Sequence, residues 1–270
     1  MKVFVITGAS DGIGAEMARQ ISRTHGAQAR LVLAARNQSK LESVAQQCLA
    51  SGAGVEVVMT DVGQEAQCRA LIEKTVHAFG RIDALVNNAG MSAHALFSDV
   101  RAQDLHWYED LMRVNFWGAV WCTHAALPYL KDARGSIVAV SSLAGLVGVP
   151  GRNAYSATKF ALTGFFEALR TELKPSGVSV TVAYPGVVAT ETRRRGYNAK
   201  GEPAGTSGLK EDAAMSVQEC AALIVRGMDA RRREVVMTAR GKAGRFLKLL
   251  APGVVEDMAL KALADDVKPH

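Results

Sequence analysis

The chain has 270 residues, 49% hydrophobic and 21% charged, with 25 glycines and 7 prolines, which excludes a disordered, fibrous or collagen-like protein. A net charge of +6 admits nucleic acid, anionic lipid or a phosphorylated ligand, but the basic residues are dispersed apart from Arg193-Arg194-Arg195 and Arg231-Arg232-Arg233. No recognition helix or aromatic-basic ladder accompanies them, so nucleic acid is not expected, and the best apolar stretch, 137–149, is too short and too interrupted for a membrane span.

From the N-terminus, a short apolar run leads straight into a glycine loop, too brief for the core of a secretory signal, and a cytoplasmic location is expected. Apolar, β-branched runs predict strands at 3–7, 30–34, 55–60, 84–86, 136–140, 178–183 and 235–237. Between and after them, helical periodicity predicts helices at 13–25, 38–51, 65–79, 105–130, 155–173, 217–228 and 243–263, with Ser216 and Glu219 as a capping box. Nearly continuous apolar strands alternating with helices imply a parallel sheet covered on both faces, a doubly wound α/β domain of about seven strands. Residues 1–240 read as one catalytic and dinucleotide-binding domain, with an irregular substrate-shaping insertion at about 186–215 and an amphipathic C-terminal extension at 241–270. Cys48, Cys68, Cys122 and Cys220 show neither metal-ligand nor disulfide-framework spacing and read as buried, reduced thiols; no metal is implied.

Between the first strand and first helix stands Thr7-Gly8-Ala9-Ser10-Asp11-Gly12-Ile13-Gly14. Missing side chains there let backbone approach a diphosphate at a helix N-terminus, so Gly8, Ser10, Gly12, Ile13 and Gly14 are candidates for holding a dinucleotide. At the end of the second strand, Ala34-Ala35-Arg36-Asn37 offers no carboxylate for a ribose 2′-hydroxyl, while Arg36 presents a planar fork suited to a 2′-phosphate. That favours NADP(H), against which Asp11 places a negative charge nearby, the lesser alternative for Arg36 being an exposed helix-start residue.

Tyr155 and Lys159, four positions apart, project from one helix face, and a cation beside a phenol favours its ionised form. Bringing a tyrosine from its reference pKa of about 10 towards 7 takes about 4 kcal/mol, more than a lysine alone supplies. In isolation such a spacing is more often an ordinary helix-surface pair.

Thr7 to Gly14, Asn87-Asn88-Ala89-Gly90, Asn115, Ser141-Ser142, Tyr155-Ser156-Ala157-Thr158-Lys159 and Pro185-Gly186 together resemble the successive signatures of the short-chain dehydrogenase/reductase family, over roughly residues 3–237. The resemblance implies a Rossmann-type fold and hydride transfer between a nicotinamide cofactor and a ketone or secondary alcohol. It implies that Tyr155 exchanges the proton of the reacting oxygen and that Ser142 hydrogen-bonds that oxygen. Lys159 would hold the nicotinamide ribose and depress the phenol pKa, and Asn115 would position a water linking Lys159 to solvent. Cofactor contacts carry over to Ser10, Ile13, Arg36, Asp61, Val62, Asn88 and Gly90, with Val188 and Thr190 near the carboxamide. Homodimers or homotetramers are implied through the helices at 105–130 and 155–173, where Trp107, Trp117 and Trp121 belong either to such an interface or to the core.

Met91, His94 and Phe97, residues 143–149 and the 186–210 insertion are expected to form mostly apolar pocket walls, suited to a hydrophobic carbonyl or alcohol. The tail around Phe246-Leu247-Lys248-Leu249-Leu250 alternates cations with apolar residues, fitting either a membrane surface or packing on its own domain or a partner subunit. With Tyr155 to Phe166, the 249–253 segment is similar to hydroxysteroid dehydrogenases and acyl-dihydroxyacetone-phosphate reductases. Reduction of ketoacyl groups on a carrier protein and non-catalytic NADP(H) sensing are the competing readings.

Overall fold

A computed structural model describes residues 1–205 and 214–267, so parts of the expected insertion and C-terminal extension lie outside the described residues. The strands are β1 (Lys2–Thr7), β2 (Ala29–Ala35), β3 (Gly54–Met59), β4 (Ala84–Asn87), β5 (Ser136–Val140), β6 (Ser179–Tyr184) and β7 (Glu234–Val236). They form one parallel sheet in the order β3-β2-β1-β4-β5-β6-β7. The order reverses between β1 and β4, and in open sheets of this kind a crevice forms there, outside the carboxyl ends of the strands.

Alternation along each strand divides the core in two. Phe4 and Ile6 of β1 face helices α1 (Gly12–His25), α2 (Gln38–Ala50) and α7 (Val217–Asp229), packing with Met17, Leu41 and Ile224. Val5, between them, faces the opposite layer, which holds Leu71 of α3 (Glu65–Phe79), Cys122 of α5 (Gly118–Asp132) and Phe166 of α6 (Asn153–Leu173). A smaller cluster, Trp107 and Leu111 of α4 (His106–Met112) with Ala93, Ala95 and Ala154, fills the space below the loops on the crevice side. Trp107 is thereby core, whereas Trp117 is exposed and stacks on Trp121, its ring centroid 5.9 Å away. All four cysteines are buried and unpaired.

Most predicted elements fall within two residues of those observed, and Ser216 caps α7 by accepting from Glu219 N. Two do not. The helix expected at 105–130 is α4 and α5 joined by a π-turn, Arg113–Trp117, whose widened turn directs Asn115 inward. The helix expected at 243–263 is α8 (Ala239–Leu250) and α9 (Pro252–Val267), broken where Ala251, preceding Pro252, is driven out of the helical region to φ −146°.

One buried carboxylate fixes the helix that faces the crevice. Glu16 on α1, 5% exposed, accepts from Arg23 Nη2 at 2.9 Å, Gln20 Nε2 at 3.0 Å and Arg19 Nη1 at 3.3 Å, and Gln20 also donates to Gln218 O of α7. Burial pushes its pKa up, and the bonds from Gln20, Arg23 and Arg19 outweigh it, leaving the group below the ordinary carboxyl value. A depressed carboxyl pKa contributes stability above the unfolded-state pKa and loses it as pH falls through the folded one. Glu16→Gln is therefore expected to lower unfolding free energy by about 1–3 kcal/mol at neutral pH, a deficit that shrinks on acidification. Urea titrations of both proteins across that range measure it; a pH-independent deficit would contradict the ionic role.

Candidate active site

A cleft of about 520 Å³ opens at the carboxyl ends of the central strands. Its floor is the turn from β1 into α1. Gly8 takes φ +66°, and a β-carbon on Gly14 would collide with the Gly8 carbonyl, so both positions require glycine. The turn is tied to β4 by Asn88, whose Nδ2 donates to Thr7 O at 3.0 Å and Gly8 O at 3.2 Å. Thr7 Oγ1 in turn accepts from Asn88 N at 3.0 Å and Ala89 N at 3.1 Å. Gly8, Ser10, Gly12, Ile13, Asn88 and Gly90 line the cleft, while Gly14 stands behind the loop and allows its close approach. Asp11 caps α1 at Gly12 N, and the other first-turn amides, lacking intrahelical acceptors, are ready for an anion.

The charge that Asp11 sets against Arg36 is compensated in the fold. Its Oδ2 receives Lys40 Nζ at 2.9 Å and Arg195 Nη2 at 3.1 Å. Burial pushes its pKa up, but Lys40, the Gly12 amide and Arg195 bring it below the usual carboxylate value. Arg36, beyond the end of β2, is exposed on the cleft and has no ion-pair partner among the described residues. Asp61 and Val62, after β3, line the cleft as well, and Asp61 also builds a turn by accepting from Gly63 N.

At the other end of the cleft stand Ser142, Tyr155 and Lys159. Ser142 follows β5, its Oγ held by Ala144 N at 3.2 Å. Lys159, 5% exposed, donates from Nζ to Val140 O at 2.9 Å and lies 5.6 Å from the Tyr155 ring centroid. Burial pushes the Tyr155 phenol up; the cations of Lys159 and Arg152, a hydrogen bond from Ser142 and the charge of Arg193 outweigh it, and the net direction is down. Burial also pulls the Lys159 ammonium down, opposed by Tyr155 and reinforced by Arg152.

Asn115 is near but does not line the cleft. Its Oδ1 accepts from Met91 N at 2.7 Å, and its Nδ2 donates to Met91 O at 2.9 Å and Thr158 Oγ1 at 3.0 Å. It thus clamps the segment after Gly90 to α6. A β-carbon on Gly90 would stand 3.2 Å from Asn115 Oδ1 and 3.6 Å from Lys159 Nζ, so this glycine keeps the space between them open. Val188 and Thr190 line the cleft from the segment after β6.

The walls differ from expectation. Met91 contributes, but His94, Phe97 and residues 143–149 are not among the lining residues, and Phe97 is turned out to solvent. Arg152, Arg193 and Arg195 line the cleft instead, making it more basic than the apolar runs suggested. The arginine run at 193–195 was the available signal for two of these; nothing in the spacing of Arg152 distinguished it from a surface residue.

The short chain dehydrogenase family matches this chain over residues 2–200. Similar proteins include 11-beta-hydroxysteroid dehydrogenase-like 2 of Arabidopsis thaliana, 33% identical over all of this chain and 84% of its own length. The 11-beta-hydroxysteroid dehydrogenase A of Sesamum indicum is 37% identical over 94% of this chain and 73% of its own. Among solved structures, a short-chain dehydrogenase from Sphingobium yanoikuyae in complex with NADPH superposes with a TM-score of 0.76 at 27% identity, covering 99% of this chain and 97% of that one. An alcohol dehydrogenase from Thermococcus sibiricus, complexed with 5-hydroxy-NADP, gives 0.73 at 26% identity over 88% and 96%.

Proposed function

This chain belongs to the short chain dehydrogenase family, and from that premise we propose that it is an NADP(H)-dependent oxidoreductase interconverting a hydrophobic ketone and its secondary alcohol. The observation that carries the reading is the half-buried Tyr155 phenol, held below its ordinary pKa by neighbouring cations on the cleft wall. The residues present fit the cofactor: the glycine-lined turn and first-turn amides of α1 suit a diphosphate, and Arg36 suits a 2′-phosphate. Two structural neighbours described with NADPH or an NADP derivative support that choice. When bound, the nicotinamide supplies or accepts the hydride.

The protein's own residues manage the proton. In reduction the Tyr155 hydroxyl donates to the carbonyl oxygen, with the Ser142 hydroxyl orienting the same oxygen; in oxidation the phenolate takes the alcohol proton. Lys159, anchored on Val140 O, stabilises that phenolate and would hold the ribose. Asn115 fixes Met91 and Thr158 around Lys159, and so preserves the passage at Gly90 through which a water would reach the ammonium. A dinucleotide sensor would need none of this arrangement.

A second reading rests on the C-terminal helices. On α8 two cations turn inward: Arg245 pairs with Glu234 at 2.6 Å, and Lys248 Nζ donates to Leu146 O and sits 4.8 Å over the Phe160 ring. The outward side carries Phe246, Leu249 and Leu250, the last two 77% and 85% exposed, beside Val254, Met258 and Leu260 of α9. No helix among the described residues is long and apolar enough to cross a membrane. We propose that this surface rests on lipid and that the carbonyl substrate is lipid-like, in keeping with the hydroxysteroid dehydrogenase names of the relatives.

Tyr155→Phe is expected to lower turnover by about 10²- to 10⁴-fold while NADP(H) affinity changes only a few-fold. Steady-state assay over a panel of steroid, aliphatic and aromatic ketones measures it, and retention of a tenth of the activity would remove Tyr155 from the acid role. Arg36→Ala is expected to weaken NADP(H) by about ten- to a hundred-fold, to spare NAD(H), and to flatten the salt dependence of binding. Calorimetric titration with both cofactors tests this; equal losses for the two would place the 2′-phosphate elsewhere. In vesicle sedimentation with mixed phosphatidylcholine and phosphatidylserine, the protein is expected in the pellet, and Leu249→Glu with Leu250→Glu in the supernatant. Identical partitioning of the two proteins would refute the lipid contact.

A further inference from the structure

Arg152 occupies the N-cap position of α6, three residues before Tyr155. Its guanidinium carbon lies 4.3 Å from the centroid of the Tyr155 ring, closer than the 5.6 Å of Lys159 Nζ. Two bonds hold it there: Nη2 donates to Ser92 Oγ at 2.7 Å and Nε to Ala93 O at 3.4 Å. Both acceptors are neutral, and among the described residues no carboxylate lies within ion-pair distance of Arg152. Withdrawing a guanidinium from water without a counter-charge is unfavourable, and burial holds the Arg152 pKa below its ordinary value, opposed by Tyr155. The group able to become negative beside it is the Tyr155 phenol.

We propose that Arg152 is a positioning residue of the active site, a second cation that Ser92 and Ala93 hold against the face of Tyr155 so that, with Lys159, it stabilises the phenolate. The proposal rests on the oxidoreductase reading for its chemical purpose, although its electrostatic content stands on the free protein. The charged groups facing Tyr155 are Lys159 on the same helix, Arg152 at the helix start and Arg193 from the segment after β6, with the Ser142 hydroxyl as hydrogen-bond partner. All three charges have one sign. Lys159 is committed to Val140 O, whereas Arg152 is anchored through the segment that Asn115 clamps at Met91. The position of that segment therefore sets one of the two cations flanking the tyrosine on α6. A cation over the ring favours phenolate over phenol and strengthens the base that takes the alcohol proton in oxidation.

The test is the ionisation of Tyr155 in the cofactor-free protein, read as phenolate absorbance during alkaline titration and isolated by subtracting Tyr155→Phe, alongside the pH profile of alcohol oxidation. Arg152→Met is expected to move both midpoints to higher pH and slow oxidation about ten-fold at neutral pH, with rates converging on wild type at alkaline pH. Arg152→Lys should recover part of the shift, and Ser92→Ala should move both midpoints in the same direction by less. If Arg152→Met does not fold, those two variants decide. Unmoved phenolate ionisation and pH profile would overturn the proposal, including a rise in KM alone, which would make Arg152 a substrate contact. An active Tyr155→Phe enzyme would instead overturn the oxidoreductase reading, while the phenolate titration would still report on Arg152.

Discussion

The seam between β1 and β4 is where the strand order reverses, and a few hydrogen bonds across it hold the site together. Thr7 Oγ1 gathers two amides from the end of β4, and the Asn88 amide returns two donors to the carbonyls of Thr7 and Gly8. Each is an ordinary bond, worth about 1 kcal/mol net, yet leaving those buried groups unpaired costs more. What the set secures is position. With the glycine turn pinned, α1 starts at one place, its first-turn amides face the cleft, and the segment after Gly90 departs toward Asn115 and Arg152.

Charge is arranged differently at the two ends of the cleft. At the α1 end, Asp11 is neutralised by Lys40 and Arg195, leaving Arg36 as a cation without an ion-pair partner among the described residues. At the tyrosine end, Lys159, Arg152 and Arg193 all act on one phenol. Cations crowded around a neutral tyrosine repel one another and are poorly solvated, and ionisation of the phenol relieves both. The same desolvation that raises an isolated buried phenol thus makes its neighbours effective in lowering it.

On α8, two cations face the body of the protein rather than solvent. Arg245 and Lys248 find a carboxylate, a carbonyl and an aromatic face on the body of the protein, and their engagement leaves Phe246, Leu249 and Leu250 outermost. Exposed apolar side chains of this size are stable against an apolar neighbour and costly in water.

Strand and helix positions were legible in the residues because each depends on local periodicity, and the order of elements along the chain already implied a parallel sheet with helices on both faces. The family motifs marked Tyr155, Lys159, Ser142 and the glycine turn because each combines unusual residue types at a short, set spacing. Three features could not be read this way. The π-turn at Asn115 arises because a side chain buried against Met91 and Thr158 selects one register over the regular helix, a choice made by partners distant in sequence. The inward cations of α8 depend on acceptors at Leu146 and Glu234, contacts that a helical period alone does not reveal. Arg152, three residues before Tyr155, has the spacing of any helix-start arginine; only the folded loop bearing Ser92 and Ala93 turns it over the tyrosine ring. The sequence determined which elements form and which residues are candidates for the chemistry, since those follow from local pattern and residue type. The tertiary structure decided which charges are compensated and which are left to act, because electrostatic strength depends on burial and distance between groups that the chain itself keeps far apart.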